Sequence, residues 1–235
     1  MIEKLPKRME AIISMVSPGM RVCDVGCDHG YVSIALVKRG ISPKALAMDI
    51  NKGPLMKAKE HVAKEGLDDR ITLRLSDGLK AYKIGEADSL IIAGMGGPLI
   101  CEILSENINN TRDFKELILS PQSKIADTRR YLADNGYAIE DEAMVYEDGK
   151  YYVIIKALFN DKKACVINET EALLGPVLLN KGSAELKNYI DCQLKKNKDI
   201  LMGLKNKNES SDGGLRIKEL EHEIELLNLG LEHFD

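Results

Sequence analysis

The sequence lacks any pair of cysteines at the spacing of a zinc site or a redox motif. Its five cysteines are odd in number and scattered, and no two of them form a C-x-x-C pair. This usage is typical of reduced thiols and predicts a cytoplasmic protein without a disulfide framework. The cysteines are Cys23, Cys27, Cys101, Cys165 and Cys192.

Long apolar runs are also missing. No run of about 18 apolar residues occurs, so we expect no membrane span. Residues 1–10 lack the apolar segment of a secretory signal. The composition, 44% hydrophobic and 30% charged, is typical of a globular protein with a substantial core. A length of 235 residues fits one large domain, or a medium domain with a small appendage.

The chain carries no excess of positive charge, because its formal net charge is −4. The charge is unevenly distributed, however. Residues 181–207 contain seven lysines and three acids, whereas residues 209–235 contain eight acids and two basic residues. A weakly acidic protein can still bind RNA when one of its faces concentrates positive potential.

Apolar runs alternate with helical patterns through the first 160 residues. A helical run such as 52–66 follows an apolar run, and Leu55, Met56, Lys59, Val62 and Ala63 are predicted to share one face of that helix. Strands that alternate with helices predict right-handed crossovers and a mainly parallel sheet. The predicted strands are 20–25, 44–50, 71–77, 88–94 and 116–122.

The first domain, residues 1–160, is predicted to end in an antiparallel hairpin. Two alternating runs, 139–146 and 151–158, flank the tight-turn sequence EDGK at 147–150. Strand–helix units closed by a hairpin are the layout of class I methyltransferases rather than of dehydrogenases. The predicted fold class is therefore α/β, with a Rossmann-like methyltransferase sheet.

Residues 161–235 are predicted to form a helical domain. Apolar and polar positions recur at heptad-like spacing on both sides of a turn-like segment, 206–214, which predicts an antiparallel coiled-coil hairpin. Its basic first arm and acidic second arm would attract each other, and this attraction could account for the lysines there. The seam positions are Leu186, Ile190, Gln193, Asn197, Leu201 and Leu204, followed by Ile217, Leu220, Ile224, Leu227 and Leu231.

The segment CDVGCDHGY, residues 23–31, lies where a dinucleotide-binding protein carries G-x-G-x-x-G, and it lacks that pattern. A strand, a glycine-containing turn and a helix should present free backbone N–H groups at the strand end. Asp28 stands in this turn, and a carboxylate would repel a diphosphate but suit a ligand that carries an ammonium group. A metal site at Cys27, Asp28 and His29 is disfavoured because adjacent side chains cannot converge on one ion, and we expect no metal.

Two further acids follow the next predicted strands. Asp49 could accept hydrogen bonds from both ribose hydroxyls of an adenosine, and Asp77 could bind the exocyclic amine of adenine. Acids at three strand ends suit S-adenosylmethionine better than NAD. Simpler structural roles stay open for these side chains: Asp49 could cap a helix, Asp77 could be an Asp-Gly turn residue, and His29 could be a loop histidine with no chemical role.

The fourth predicted strand lacks the Asn/Asp-Pro-Pro-aromatic motif of many amino-group N-methyltransferases. The residues found there are IAGMGG, 92–97, whose glycines let the backbone approach a ligand closely or adopt a positive φ. Alternatively, Gly94, Gly96 and Gly97 form a plain strand-to-helix turn.

Taken together, several segments resemble the bacterial tRNA (adenine-N1)-methyltransferase family that modifies adenine 22 in the D-loop region. The resemblance covers nearly the whole chain, and the pairing of Asp-His-Gly-Tyr with Gly-Met-Gly-Gly is its most diagnostic part. It implies an enzyme that binds S-adenosylmethionine and tRNA. The segments are KLPKRM (4–9), DVGCDHGY (24–31), IAGMGG (92–97), LILSPQ (117–122) and YEDGKYY (146–152).

The resemblance also implies site residues. Asp28, His29 and Tyr31 are the candidates for a role beside the reacting base, with Asp28 stabilising the cationic product. The resemblance also places Arg8 near the target base. The other candidates for tRNA contact follow from their charge and position: Lys4, Lys7, Gly96 and Gly97 near the pocket and Lys195, Lys196 and Lys198 on the predicted coiled coil. Candidates for cofactor binding are Gly26, Asp28, Gly30, Asp49, Ile50, Asp77, Gly78, Gly94 and Met95.

Three rival functions are compatible with the sequence: a Rossmann oxidoreductase, a non-catalytic RNA-binding protein of the same fold, and a methyltransferase that acts on another substrate. Asp28 in the loop and the closing hairpin disfavour the oxidoreductase. The intact set of acids disfavours a protein without catalysis. We expect the protein to be a monomer.

Overall fold

The structure is a computed structural model that describes residues 5–106, 108–160, 166–205 and 211–234. The chain divides into two compact units, Met1–Cys165 and Val166–Asp235. Lys4, Cys165 and part of the predicted turn at 206–214 lie outside the described residues. Within the described ranges, no helix is long and apolar enough to cross a membrane.

The first unit is built on a seven-stranded sheet with the strand order β3-β2-β1-β4-β5-β7-β6. The first five strands pair in parallel, and β7 pairs antiparallel with both β5 and β6. This arrangement confirms the predicted Rossmann-like methyltransferase sheet. The strands are β1 Val22–Val25, β2 Ala45–Asp49, β3 Ile71–Leu75, β4 Ser89–Ala93, β5 Glu116–Ser120, β6 Tyr137–Glu147 and β7 Lys150–Phe159.

The inner strands are short apolar runs because both faces of the sheet are covered. Every residue of β1, β2 and β5 is buried, as expected for parallel strands between two layers of helices. The β6–β7 hairpin turns at Asp148 and Gly149, both of which have positive φ. The predicted EDGK turn is therefore correct, and an irregularity between Ile139 and Asp141 shifts the register of β6.

Among the described residues of the first unit, six helices accompany the sheet. The helix after β2 is predicted correctly at its start, and its buried face agrees with the predicted one at Val62 and, half-buried, at Leu55. The buried positions are Ala58 and Val62, whereas Met56, Lys59 and Ala63 are exposed. The helices are α1 Lys7–Met15, α2 Tyr31–Lys38, α3 Lys52–Lys64, α4 Gly97–Glu106, α5 Ile108–Thr111 and α6 Ile125–Asp134.

Helix α1 is fastened to the sheet at both of its ends by carboxylates. At its start, the carboxylate of Glu147 accepts the Lys7 backbone N–H at 2.5 Å and the Arg8 guanidinium at 2.8 Å. Beyond its end, buried Glu116 accepts both the N–H and the hydroxyl of Ser17, and Lys156 bonds the same carboxylate at 2.9 Å. These contacts hold α1 along the sheet, with Arg8 at the edge where the parallel strands end and Ser17 at the edge where β5 begins.

The second unit contains α7 Glu169–Leu174, α8 Pro176–Lys181, α9 Ala184–Lys205, α10 Ser211–Leu231 and a final 3₁₀ turn, Glu232–Phe234. Helices α9 and α10 run antiparallel, because the ammonium group of Lys187 lies over the Phe234 ring while Lys205 pairs with Glu221 at 2.6 Å. Knobs-into-holes packing of a coiled coil stays a prediction.

The buried face of α9 matches the predicted seam in part, and the predicted positions Leu201 and Leu204 are only half-buried. Leu186, Ile190, Leu194 and Asn197 are buried, and Gln193 is only half-buried. The predicted polar position at Asn197 is correct: its side chain is 4% exposed, and its amide nitrogen has no hydrogen-bond partner among the described residues.

Gly97 is required for packing at the start of α4. A Cβ built on Gly97 would lie 2.6 Å from the Ser123 carbonyl oxygen and 2.6 Å from the Thr128 hydroxyl. We expect Gly97→Ala to destabilise the first unit by about 1–3 kcal/mol, because backbone atoms must move to admit the methyl group. Urea unfolding measures the change in free energy.

Gly53→Ala is the matched control in the same unit, because a Cβ there meets nothing within 4 Å. This change in α3 should stabilise by up to about 1 kcal/mol through helix propensity. A Gly97→Ala protein as stable as the Gly53→Ala protein would show that the close approach at α4 does not limit side-chain size.

Candidate active site

The loop after β1 is tied to the end of β2 by its own backbone. The N–H groups of Gly26 and Cys27 donate to the Met48 carbonyl at 2.8 and 3.0 Å, and the Asp28 N–H donates to the Asp49 carboxylate at 3.3 Å. These three N–H groups are therefore not free, contrary to the expectation from the strand–turn–helix pattern. A loop whose donors are used internally is poorly suited to cradle a diphosphate.

Gly26 allows a second close approach, this time by the loop after β4. Its φ is +73°, and a Cβ built there would lie 2.2 Å from the terminal methyl carbon of Met95. Gly94, at the end of β4, also has a positive φ, +79°. Glycine suits both positions because a positive φ strains other residues, and the Met95 methyl group occupies the space that a Cβ on Gly26 would fill.

Asp24, on β1, is a buried carboxyl group beneath this junction. Its side chain accepts a hydrogen bond from the Ser33 hydroxyl at 2.8 Å, and the residue is only 5% exposed. Burial, opposed in part by the Ser33 hydrogen bond, raises the pKa of Asp24 to about 6. A positively charged group beside this carboxyl would favour its ionised form.

The first of two adjoining clefts, about 290 Å³ in volume, lies over the ends of β2 and β3. Asp49 is buried there and also accepts the Asn51 N–H at 2.8 Å, while Asp77 is exposed and pairs with Lys80 at 2.5 Å. Asn51 is the residue that precedes α3, and its side chain makes no capping bond. The lining of the cleft combines these acids with apolar side chains: Val25, Ile50, Ala93, Met95, Leu99 and Ile103, with Gly26, Gly78, Gly94, Asn51 and Ser76.

The second cleft, about 360 Å³, lies between the same two loops and α1. It shares Gly26, Ala93 and Gly94 with the first cleft, so the two spaces meet at the carboxyl end of β1 and β4. The rest of its lining consists of Arg8, Met9, Ile12, Asp24, Cys27, Asp28, Val32, Ser120, Gln122 and Tyr152.

Arg8 enters the second cleft with its charge already engaged. Its guanidinium bonds Glu147 at 2.8 Å and lies 5.3 Å from the centre of the Tyr152 ring. Lys7 is exposed. The predicted pocket-side position of Arg8 therefore agrees with the lining of the cleft, and whether either residue contacts tRNA stays a prediction.

His29 and Tyr31 line neither of these two clefts. Tyr31 stacks on His61 at a ring separation of 5.0 Å, and the His29 ring lies 5.8 Å from Tyr31 and 6.0 Å from His61. The Nε2 atom of His29 is 3.4 Å from the Asp28 carboxylate. Of the three candidate catalytic residues, only Asp28, 67% exposed at its side chain, faces the second cleft directly.

Three of the predicted glycines have close neighbours outside the clefts. A Cβ on Gly30 would meet Ala58 of α3 at 3.3 Å, and one on Gly96 would meet the Ser123 hydroxyl at 3.2 Å. For Gly97, the close approach of the Ser123 carbonyl supports the plain strand-to-helix turn. Gly30, Gly96 and Gly97 are not among the lining of either cleft, and their ligand contacts stay predictions.

Several lining residues were not assigned a role from the sequence. Gln122 and Tyr152 lie inside segments that carried the family resemblance, LILSPQ and YEDGKYY, but the residue pattern alone does not show which of their side chains face a cleft. Asp24 lies within the apolar run of the predicted strand 20–25, and the sequence pattern does not show that its side chain reaches a cleft. Spacing along the chain could not identify Gln122 and Tyr152. Gln122 follows β5 and Tyr152 lies on β7, and these strands come near β1 only because of the order in which the strands pair in the sheet.

Comparisons with known proteins agree with this geometry. A family model described as a methyltransferase domain matches residues 5–155. The tRNA (adenine(22)-N(1))-methyltransferase of Bacillus subtilis (strain 168) is 32% identical over 233 residues, covering 98% of this chain and 98% of that protein. The chain belongs to the tRNA (adenine(22)-N(1))-methyltransferase family.

Solved structures of this family share the fold over the full length. The crystal structure of the B. subtilis M1A22 tRNA methyltransferase TrmK has a TM-score of 0.86 at 32% identity and covers 99% of both chains. Streptococcus pneumoniae Sp1610, described as a putative tRNA (m1A22) methyltransferase in complex with S-adenosyl-L-methionine, has a TM-score of 0.85 at 30% identity. It covers 97% of this chain and 100% of that one.

The cleft residues fit S-adenosylmethionine. The carboxyl groups of Asp24, Asp28, Asp49 and Asp77 suit a ligand with an ammonium, a sulfonium and a ribose diol. Gly26 and Gly94 contribute no side chain of their own to the junction of the two clefts, where the reacting methyl group would have to pass, and the Met95 methyl group lies over Gly26.

Asp24 makes the stability of the first unit depend on pH. The pKa of Asp24 is raised to about 6 from about 3.9 in an unfolded chain, so its contribution is fully present below about pH 4. It is lost as the pH rises through about 6. We expect the free energy of unfolding to fall by up to about 3 kcal/mol over this range, relative to Asp24→Asn.

Urea unfolding of both proteins between pH 4 and 7.5, without ligand, measures this difference. Asp127→Asn on α6 is the control, because Asp127 is exposed and its removal should leave the pH profile parallel to that of the unchanged protein. A parallel profile for Asp24→Asn as well would contradict a raised pKa at that site.

Proposed function

We propose that the protein methylates N1 of adenine 22 in tRNA with S-adenosylmethionine as the methyl donor. The observation that carries the proposal is that the alignment with the B. subtilis enzyme covers 98% of both chains. A general methyltransferase domain would account only for residues 5–155. The C-terminal helices are thus part of what the two chains share. An oxidoreductase is disfavoured by the internally bonded loop and by the acids at the rim of the sheet.

When bound, S-adenosylmethionine supplies an electrophilic methyl group on a sulfonium. Asp49 and Asp77 would hold the adenosine part in the first cleft, with Ile50, Leu99 and Ile103 against the base. Asp24 and the Gly26 and Gly94 backbone would face the methionine part. The target adenine would then enter the second cleft between α1 and the loops after β4 and β5.

The chemistry requires little proton transfer. N1 of neutral adenine has an in-plane lone pair that is not delocalised into the ring, so it can attack without prior deprotonation. Most of the rate would come from positioning, and the product is cationic when it forms. Asp28 faces the second cleft and would stabilise this developing charge. Because N1 lies on the Watson–Crick edge, the base must be unpaired or flipped out before it reacts.

Methyl transfer to tRNA transcripts tests the proposal directly. The protein should label a transcript with adenine at position 22, and it should not label the same transcript with guanine there. We expect Asp28→Ala to lower single-turnover methylation by at least about tenfold while tRNA binding changes little, because Asp28 acts on the reacting base. Mass spectrometry of nuclease digests locates the modified position.

Two results would contradict different parts of this proposal. Absence of label in the adenine transcript, with S-adenosylmethionine binding intact, would mean that the substrate is another one. A normal single-turnover rate in Asp28→Ala would remove this carboxylate from the mechanism.

The helical unit would hold a distal part of the tRNA through three exposed lysines. Lys195, Lys196 and Lys198 make no ion pair with any other described residue, whereas Lys205 pairs with Glu221 across α9 and α10. The attraction between basic and acidic arms therefore does not occupy these three lysines in the described chain. RNA recognition would rest on such phosphate contacts and on shape.

Reversing these charges should weaken tRNA binding without changing the affinity for S-adenosylmethionine. With Lys195, Lys196 and Lys198 all changed to Glu, we expect the slope of log K against log salt to fall by up to about 3, close to one unit for each lost phosphate contact. Filter binding at several salt concentrations measures the slope, and calorimetry measures the cofactor affinity.

The matched control reverses Lys44, Arg70 and Lys83, which alters the net charge equally. Lys44 and Arg70 directly precede β2 and β3, and Lys83 lies in the connection before β4, so the control is remote from the carboxyl-end clefts. An equal effect of both triple variants would show only the influence of net charge. Unchanged binding in the α9 variant at low salt would assign those lysines to the helix pair alone.

A further inference from the structure

Gln122 presents an uncommitted amide group to the second cleft. It follows β5 in the loop before α6, and its backbone N–H is fixed by the Met95 carbonyl at 2.9 Å. The side chain is exposed, lines the cleft and makes no hydrogen bond within the described chain. Its backbone is thus held in place while its amide oxygen and nitrogen are both available to a ligand.

The position of this amide is defined by Gly94. The Gln122 Nε2 atom lies 3.7 Å from the point where a Cβ on Gly94 would stand. Gly94 lines both clefts, so the amide lies beside the junction through which the methyl group must pass. The polar end of Gln122 is therefore near the place where the target base has to present N1.

The charged groups of the cleft are less suited to reading a neutral base. Arg8 is engaged by Glu147 and the Tyr152 ring, and Asp24 is buried against Ser33. Asp28 can accept hydrogen bonds but, when ionised, cannot donate one. Gln122 supplies one donor group and one acceptor side by side, which none of these three offers.

The reaction leaves one edge of adenine for recognition. N1 must stay unbonded to attack, so the base can be read through N6 and N7 on its other polar edge. A glutamine amide matches that edge, with its oxygen accepting from the N6 amine and its nitrogen donating to N7. Guanine has acceptors at both positions, O6 and N7, and so leaves the amide oxygen without a donor.

We propose that Gln122 is the specificity-determining residue that binds the N6/N7 edge of the target adenine and aligns N1 with the methyl donor. This assignment rests on the proposed function and deepens it. It predicts that removal of the N7 acceptor from the base lowers the rate only while the Gln122 amide is present, so the two removals are not additive.

The test is a double-mutant cycle between residue 122 and the base. Transcripts carry adenine or 7-deazaadenine at position 22; the second lacks the N7 acceptor but retains N1 and N6. With the unchanged protein, kcat/KM should fall about fivefold on 7-deazaadenine, the usual effect of one hydrogen bond. Gln122→Ala should lower kcat/KM on adenine about 10- to 100-fold and then treat the two bases alike.

Gln122→Glu separates the two hydrogen bonds. It retains an acceptor for N6 and loses the donor to N7, so it should lose the penalty for 7-deazaadenine. A third transcript carries purine at position 22, which lacks the N6 amine; the unchanged protein and Gln122→Glu should both methylate it more slowly than adenine. Ser123→Ala is the control, because Ser123 is an exposed neighbour that does not line the second cleft; it should keep both penalties.

The outcomes are distinguishable. If Gln122→Ala retains the full 7-deazaadenine penalty, the amide does not contact N7 and the assignment is overturned. Calorimetry with S-adenosylmethionine shows whether the variants fold and bind the cofactor, and unchanged affinity is expected. If the unchanged protein fails to methylate the adenine transcript, both this assignment and the proposed substrate are wrong.

Discussion

The hydrogen bonds between the first loop and the end of β2 determine what this site can bind. The Met48 carbonyl and the Asp49 carboxylate accept the N–H groups of Gly26, Cys27 and Asp28. Because these donors are satisfied within the protein, the loop offers a ligand its carboxylates rather than its backbone amides. A diphosphate, which would bind through such amide groups, is therefore poorly matched to this loop.

The same hydrogen bonds also position the residues that line the two clefts. They hold the loop in a conformation in which Gly26 and Asp28 both have positive φ, so that Asp28 faces outward while Met95 packs over Gly26. The clefts then meet where Gly26 and Gly94 have no side chains. A methyl donor on one side and a base on the other need such an opening, since the reacting atoms must come into direct contact.

Different parts of the structure were predictable to different degrees. The inner strands were located because each is a short apolar run buried on both faces, and the hairpin was located because Asp148 and Gly149 tolerate positive φ. Helix faces were less predictable. Met56 is exposed and Leu194 replaces Gln193 at the α9 seam, because a shift of one residue turns a helix face by about 100° and only the neighbouring elements select among such faces.

The sequence by itself determined the fold class and the place of the acids, since carboxyl ends of parallel strands lie at one edge of a sheet. It also identified the family, through motifs on separate strands. Only the tertiary structure decided that the loop donors are used internally, that Asp24 is buried beneath the junction, and that Gln122 and Tyr152 reach the second cleft. The physical reason is that these contacts join residues far apart in the chain, and their geometry depends on strand order and on how closely glycines let the loops approach.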